Sequence, residues 1–182
     1  MLQIMIFFVV GIGIAALSWR TFSDTRSYRF FRFISFETLL ALIILTAPSL
    51  VRIGLSPGSV IAGMLLLTAF VLGATSLLLL VRARTSPPLR RRQPGSSGAQ
   101  APSLVTRGPF HYIRHPIYTS ILLLGWGLTA KHFTFFSILL ALALTGLLLV
   151  TARAEELENL ERFGEEYDRY MERTKLFFPG LY

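Results

Sequence analysis

The chain reads as an all-α, polytopic membrane protein with about five transmembrane helices and a C-terminal amphipathic helix. Three observations predict this. Of 182 residues, 53% are apolar and mean hydropathy is +0.58; several apolar runs approach the length of a bilayer span; and lysine and arginine fall almost wholly between alternate runs.

The first run, residues 2–19, lacks a basic leader and is followed by Arg20, Arg26, Arg29 and Arg32, which predicts a retained helix with its N-terminus outside. Runs at 33–51 and 58–81 follow. The fourth, 117–130, is short: at about 1.5 Å per residue its apolar part needs partners that shield it, or its Arg114–His115 end drawn into the interface. The fifth is 133–152. Sixteen of the eighteen lysines and arginines lie on one side of this plan, Arg52 and Lys131 being the exceptions. The positive-inside rule therefore places the N-terminus outside and the C-terminus in the cytoplasm, in what the short loops suggest is a prokaryotic cytoplasmic membrane. The net charge of +8 is this topological bias and gives no sign of a nucleic-acid partner; the charged surfaces face membrane lipids instead.

Three regions follow: 1–84, an N-terminal three-helix transmembrane region; 85–103, TSPPLRRRQPGSSGAQAPS, a flexible cytoplasmic linker; and 104–182, a helical hairpin with a C-terminal lid helix. In the tail, Leu157, Leu160, Phe163, Tyr167, Tyr170 and Met171 recur at three- and four-residue steps, which predicts an amphipathic helix running to Pro179 and bent at Gly164. With no cysteine, disulfides, thiolate metal sites and a cysteine nucleophile are excluded.

The chemistry concentrates in two clusters separated by the last hairpin. RGPFHYIRHPIY at residues 107–118 puts Arg114 and His115 before Pro116, at a helix N-terminus where free amides, the dipole and a guanidinium favour a carboxylate or phosphate; Tyr118 adds a phenol one turn on. Arg153, Glu155 and Glu156 supply the second cluster. Adjacent glutamates point about 100° apart on a helix, so one faces the bundle while the other meets the interface, and a buried carboxylate suits an amine or a ribose hydroxyl pair. His111 and His132 read as interfacial histidines, the glutamates further along the tail as solvated partners of its arginines, and Glu37 as an interfacial salt-bridge partner of Arg32 or Arg29. Gly125 and Gly127, flanking Trp126, suit either close helix packing or passage of a ligand chain.

The order Gly108-Pro109, Tyr112, Arg114-His115-Pro116, Tyr118, then Glu155-Glu156, Phe163-Gly164, Tyr167, Tyr170 and Phe178-Pro179 resembles the integral-membrane methyltransferases related to isoprenylcysteine carboxyl methyltransferase and the phospholipid methyltransferases. The likeness covers roughly residues 104–179. It implies an S-adenosylmethionine-dependent methyltransferase acting on a lipophilic acceptor, without a metal. By that resemblance, Tyr112, Arg114, His115, Tyr118, Glu155, Glu156, Tyr167 and Tyr170 bind the cofactor, while Arg153 and Glu156 act at the reacting centre. Ser120 stands where the family often has glycine, Thr151 where several members have arginine, and Phe110 and His111 where Tyr and Arg are common. Two other functions fit part of the pattern: an NADPH-dependent sterol-type reductase, although such proteins usually carry Asn where this chain has Pro116, and a non-catalytic membrane scaffold.

Overall fold

The computed structural model describes residue 11 and residues 28–51, 56–85 and 104–180. Most of the first apolar run, the arginines at 20, 26, 52 and 90–92, and the linker beyond residue 85 lie outside these residues. Among the described residues the chain is all-α. We label its helices α1 (Tyr28–Leu50), α2 (Pro57–Thr85), α3 (Pro116–Lys131), α4 (Phe135–Phe163) and α5 (Glu165–Arg173), with a 3-10 turn at Gly108–His111 before α3.

Three helices are long and apolar enough to cross a membrane: α1 over Arg29–Leu50, α2 over Pro57–Ala83, and α4 over Phe135–Phe163. Their outward faces carry Met64, Leu67, Phe70, Leu139, Leu142 and other large apolar side chains well exposed, a surface suited to lipid and not to water. Hydroxyls within the spans are internally satisfied. Ser35, Thr46, Thr68, Ser76, Thr145 and Thr151 each donate to a carbonyl one turn back, at 2.6 to 2.8 Å, leaving no hydroxyl proton facing hydrocarbon at these positions.

The 16-residue α3 is about 24 Å long, too short to span comfortably alone. It is also the most enclosed, with ten of its sixteen residues buried against α1, α2 and α4. Pro116 begins it without needing an amide partner, and His132 ends it by donating its backbone N–H to Leu128. The chain then turns directly into α4, whose N-cap Thr134 forms a reciprocal capping box with Ser137. Leu39 and Leu42 of α1, Tyr118, Leu122 and Leu128 of α3, and Leu144 and Leu148 of α4 form the core.

Glycine admits that packing. A Cβ on Gly125 would stand 2.7 Å from Leu144 Cδ2 and 3.6 Å from Leu42 Cδ2; one on Gly127 would stand 3.0 Å from Leu66. Close helix packing therefore accounts for both glycines flanking Trp126.

The tail differs from the sequence expectation. Helix α4 runs out of the span to Phe163 without a break at the charged cluster. It ends at Gly164, whose φ of 56° and ψ of −135° suit glycine alone. Helix α5 then lasts nine residues, and from Thr174 the backbone is extended, so the helix expected to reach Pro179 stops at Arg173. The reason is tertiary: residues 174–177 form a strap bonded to the segment before α3, an arrangement that helical periodicity does not encode.

Replacing Gly125 by alanine should lower stability by about 1–3 kcal/mol, because Leu144 is almost fully buried and has nowhere to retreat. Unfolding of the detergent-solubilised chain checks this, with Gly146→Ala, where a Cβ meets nothing, as the neutral control.

Candidate functional site

The strap builds the site. Lys175 donates its N–H to the Tyr112 carbonyl at 3.1 Å, and the amides of Arg114 and His115 donate to the carbonyls of Lys175 and Leu176 at 2.8 and 3.2 Å. These bonds surround an isolated parallel bridge between Ile113 and Lys175. Thr119 Oγ1 lies 2.9 Å from the Phe177 carbonyl, and Leu176 and Phe177 plug into the core. The two amides expected to cradle an anion are thus committed to backbone carbonyls.

Arg114 is committed as well. Its Nε pairs with Glu156 Oε1, while Nη1 donates to the Thr174 carbonyl at 2.5 Å and the Met171 carbonyl at 3.1 Å. One guanidinium therefore joins α4, the end of α5 and the start of α3. A cation at the carbonyl end of α5 also complements its dipole.

Next to this clamp, His115 is 7% exposed and its Nε2 has no hydrogen-bond partner. That nitrogen is 3.6 Å from Glu156 Oε1, and Nδ1 is 3.9 Å from Glu155 Oε2. The imidazole stacks on Tyr118, ring centroids 5.3 Å apart and planes 9° from parallel, with Phe177 edge-on at 6.3 Å. Tyr118 in turn donates its hydroxyl to Glu155 Oε2 at 2.5 Å. Adjacent positions thus separate the glutamates as expected: Glu156 is buried in the clamp and Glu155 is partly open.

Tyr167 and Tyr170 close the other side, their ring centroids 5.7 Å apart. Tyr170 donates to the Phe110 carbonyl at 2.7 Å, tying α5 to the 3-10 turn. Burial pushes the Tyr167 phenol up to about 12, against a hydrogen bond with Asn159 that lowers it. Burial pushes Tyr170 upward too. Both are neutral hydrogen-bonding groups at physiological pH.

Arg114, His115, Tyr118, Glu155, Glu156 and Tyr167 are therefore brought together, with Tyr170 adjoining them. Two nominated residues are not. Tyr112 is 63% exposed, its ring edge-on to His111, and it reaches the site only through its carbonyl. Arg153 is exposed on α4, one turn before Glu156, and takes no part in the ion pairs of the cluster. Ser120 donates to the Ile117 carbonyl and packs against Gly73 of α2, on the opposite side of α3 from His115, and so does not crowd the cluster. Thr151 is buried and donates to Leu147.

Sequence reasoning missed Asn159, Thr119 and Phe177, and the carbonyls of Met171 and Thr174. Asn159 lies one turn beyond Glu155 and Glu156, a spacing that offered a signal; a carbonyl acceptor, present at every position, offers none.

With one guanidinium against two carboxylates, the cluster keeps an excess of acceptors and favours a cationic or hydroxyl-bearing ligand. Within this cluster, His115 Nε2 is a buried atom with no hydrogen-bond partner.

No family model matches the chain, and no solved structure matches it. It is similar to the nickel-cobalt-cadmium resistance protein NccN of Alcaligenes xylosoxydans xylosoxydans, 37% identical over 87 residues, 47% of this chain and 40% of that protein. The aligned stretch thus spans well under half of the relative. These findings overturn the resemblance to isoprenylcysteine carboxyl and phospholipid methyltransferases: that family is not found, and the similarity that is found is partial and leads to a protein described by metal resistance.

Removing the clamp should be costly. Arg114→Ala strands Glu156 and releases two carbonyls, with an expected loss of about 3–5 kcal/mol. Hydrogen exchange should show residues 174–177 losing protection before the core of α3; equal protection in variant and parent would mean that the strap does not depend on Arg114.

Proposed function

We propose that the protein is an integral-membrane enzyme that transfers the methyl group of S-adenosylmethionine to a lipid-soluble acceptor. The observation that carries this reading is the buried His115, its imidazole placed between Glu155 on the Nδ1 side and Glu156 on the Nε2 side with no hydrogen-bond partner for Nε2, at the mouth of a lipid-facing helix bundle. S-adenosylmethionine supplies an activated methyl group on a cationic sulfonium. The residues present suit it: the acceptor excess of the cluster complements the sulfonium, the ammonium and the ribose hydroxyls, and Tyr118 and Tyr167 add apolar faces. The protein's part is to align the acceptor, exclude water and place charge nearby, which requires no metal.

In this reading Glu155 and His115 contact the cofactor, Glu156 is shared between cofactor and clamp, and Arg114 is a positioning residue. Its hydrogen bonds to Glu156, Met171 and Thr174 leave it poorly placed to bind a ligand carboxylate. The same commitment disfavours an NADPH-dependent reductase, whose phosphates need cations and free amides. Arg153, exposed beside Leu157, suits lipid headgroups better than the reacting centre.

A second reading follows from the likeness to NccN, a nickel-cobalt-cadmium resistance protein: a part in handling transition-metal cations, with His115, Glu155 and Glu156 as donors. Against it, Arg114 already occupies Glu156, and among the described residues no group of three His, Cys, Asp or Glu side chains is arranged to hold a metal.

Calorimetry on the chain in lipid nanodiscs separates these readings. S-adenosylmethionine and S-adenosylhomocysteine should bind, and His115→Ala should weaken both by about tenfold to a hundredfold, the equivalent of a hydrogen bond to a charged partner. Absence of binding to the folded protein, with Ni²⁺ bound instead, would replace the first reading with the second.

The five-span plan and its orientation complete the proposal, with the site on the cytoplasmic side. The chain lacks cysteine, so single substitutions report topology directly. Ser56→Cys should react with an impermeant maleimide in intact cells and Glu172→Cys only after permeabilisation; the reverse pattern would invert the protein.

A further inference from the structure

Helices α2 and α3 meet closely at two places where glycine permits it. A Cβ on Gly73 of α2 would stand 3.0 Å from Ser120 Oγ of α3, and one on Gly127 of α3 would stand 3.0 Å from Leu66 Cδ2 of α2. Between these contacts lies a notch of about 320 Å³, lined by Leu66, Ala69 and Phe70 from α2 and by Ser120, Ile121 and Leu124 from α3. Ala69 and Ser120 leave room there that larger side chains would take. The volume falls at the lower end of the range for small-molecule sites, roughly 300–1,000 Å³.

Chemistry, access and depth each narrow what fits the notch. Its described lining has one polar side chain, and that hydroxyl, on Ser120, already donates to the Ile117 carbonyl at 2.7 Å; water, which needs several polar partners, is poorly served there. Phe70 at the rim is 74% exposed and Leu67, one turn before it, is 65% exposed, so the notch is continuous with the apolar outer face of α2 that suits lipid. Ala69 lies twelve residues after Pro57 and fourteen before Ala83, the ends of the candidate span, or about 18 and 21 Å along the axis. Lipid headgroups flank a hydrocarbon layer about 30 Å thick and so lie about 15 Å from its middle. At that depth only the far part of a lipid chain is at hand, and leaving the notch empty would forfeit dispersion contacts along its walls.

We propose that the notch between α2 and α3 is a lipid site that seats the methyl-end half of one phospholipid acyl chain, entering sideways from the bilayer past Phe70. It lies on the opposite side of α3 from His115 and does not depend on the function proposed for that cluster.

The test uses the full chain in phosphatidylcholine nanodiscs that carry a trace of the same lipid with a diazirine near the methyl end of one acyl chain. Light expels N₂, the carbene carbon inserts into a neighbouring C–H bond, and mass spectrometry maps the adducts. They should concentrate on Phe70, Ile121 and Leu124, several-fold above Leu149 and Val150, which are exposed on α4 well inside its span. A lipid with the diazirine beside the ester carbonyl should show no such excess, and Ala69→Leu, which puts a larger side chain into the notch, should lower it to the level of the controls. Labelling equal to the controls overturns the proposal, as does an excess with the carbonyl-end lipid alone or one unchanged in Ala69→Leu. A second copy of the chain seated in the notch would exclude the lipid, leave the three residues unlabelled and overturn it too. If Ala69→Leu does not fold, the contrast between the two lipids on the parent decides.

Discussion

The guanidinium of Arg114 is the constraint on which the site depends. It holds a carboxylate from α4 and two carbonyls from the end of α5, and it sits one residue before the N-cap of α3. A planar fork of donors in fixed directions can serve three such partners, which a lysine's single ammonium centre cannot arrange in the same way. With Arg114 fixed, the amides on either side of the Arg114–His115 peptide meet the strap, His115 turns onto Tyr118, and its second nitrogen is left facing the glutamates. The charge of Arg114 thus organises the protein and leaves its neighbour exposed to chemistry.

That division of labour was only partly legible in the sequence. The apolar runs placed α1, α2 and α4, and Pro116 set the start of α3, because hydrophobic length and a missing amide are local properties. The adjacency of Glu155 and Glu156 correctly predicted two different environments. The role of Arg114 was not readable: its partners are a side chain 42 residues away and carbonyls 57 and 60 residues away, and no pattern of residue types marks a carbonyl. The same holds for the extended strap. The apolar spacing of the tail suggested a longer helix, but pairing with residues 112–115 overrode it after Arg173. The motif order suggested a family that the comparisons did not return, which shows that the order of residues around a membrane hairpin is weaker information than it looks.

Polar groups in this bundle follow two regimes. Hydroxyls such as those of Thr46, Ser76 and Thr151 donate within their own helix, one turn back, while Thr119 also reaches the strap and Thr145 accepts from Trp126 of α3. Ionisable groups cannot be satisfied that way. Those at the mouth, from Arg114 to Glu156, solve the problem collectively by crossing between helices.

The parallel bridge between Ile113 and Lys175 joins points 62 residues apart, with the whole α3–α4 hairpin between them. During synthesis the N-terminal residues emerge first, so the bundle can insert before Thr174 exists. A chain ending at Arg173 would keep the α3–α4 hairpin but lack the strap that pairs with residues 112–115 beside His115. Pairing of the strap with the segment before α3 closes a long loop, a contact of high sequence separation that carries the corresponding entropic cost. The helices and the cluster are thus held by different parts of the chain, and loss of its last residues would reach the cluster while leaving the helices of the hairpin intact in sequence.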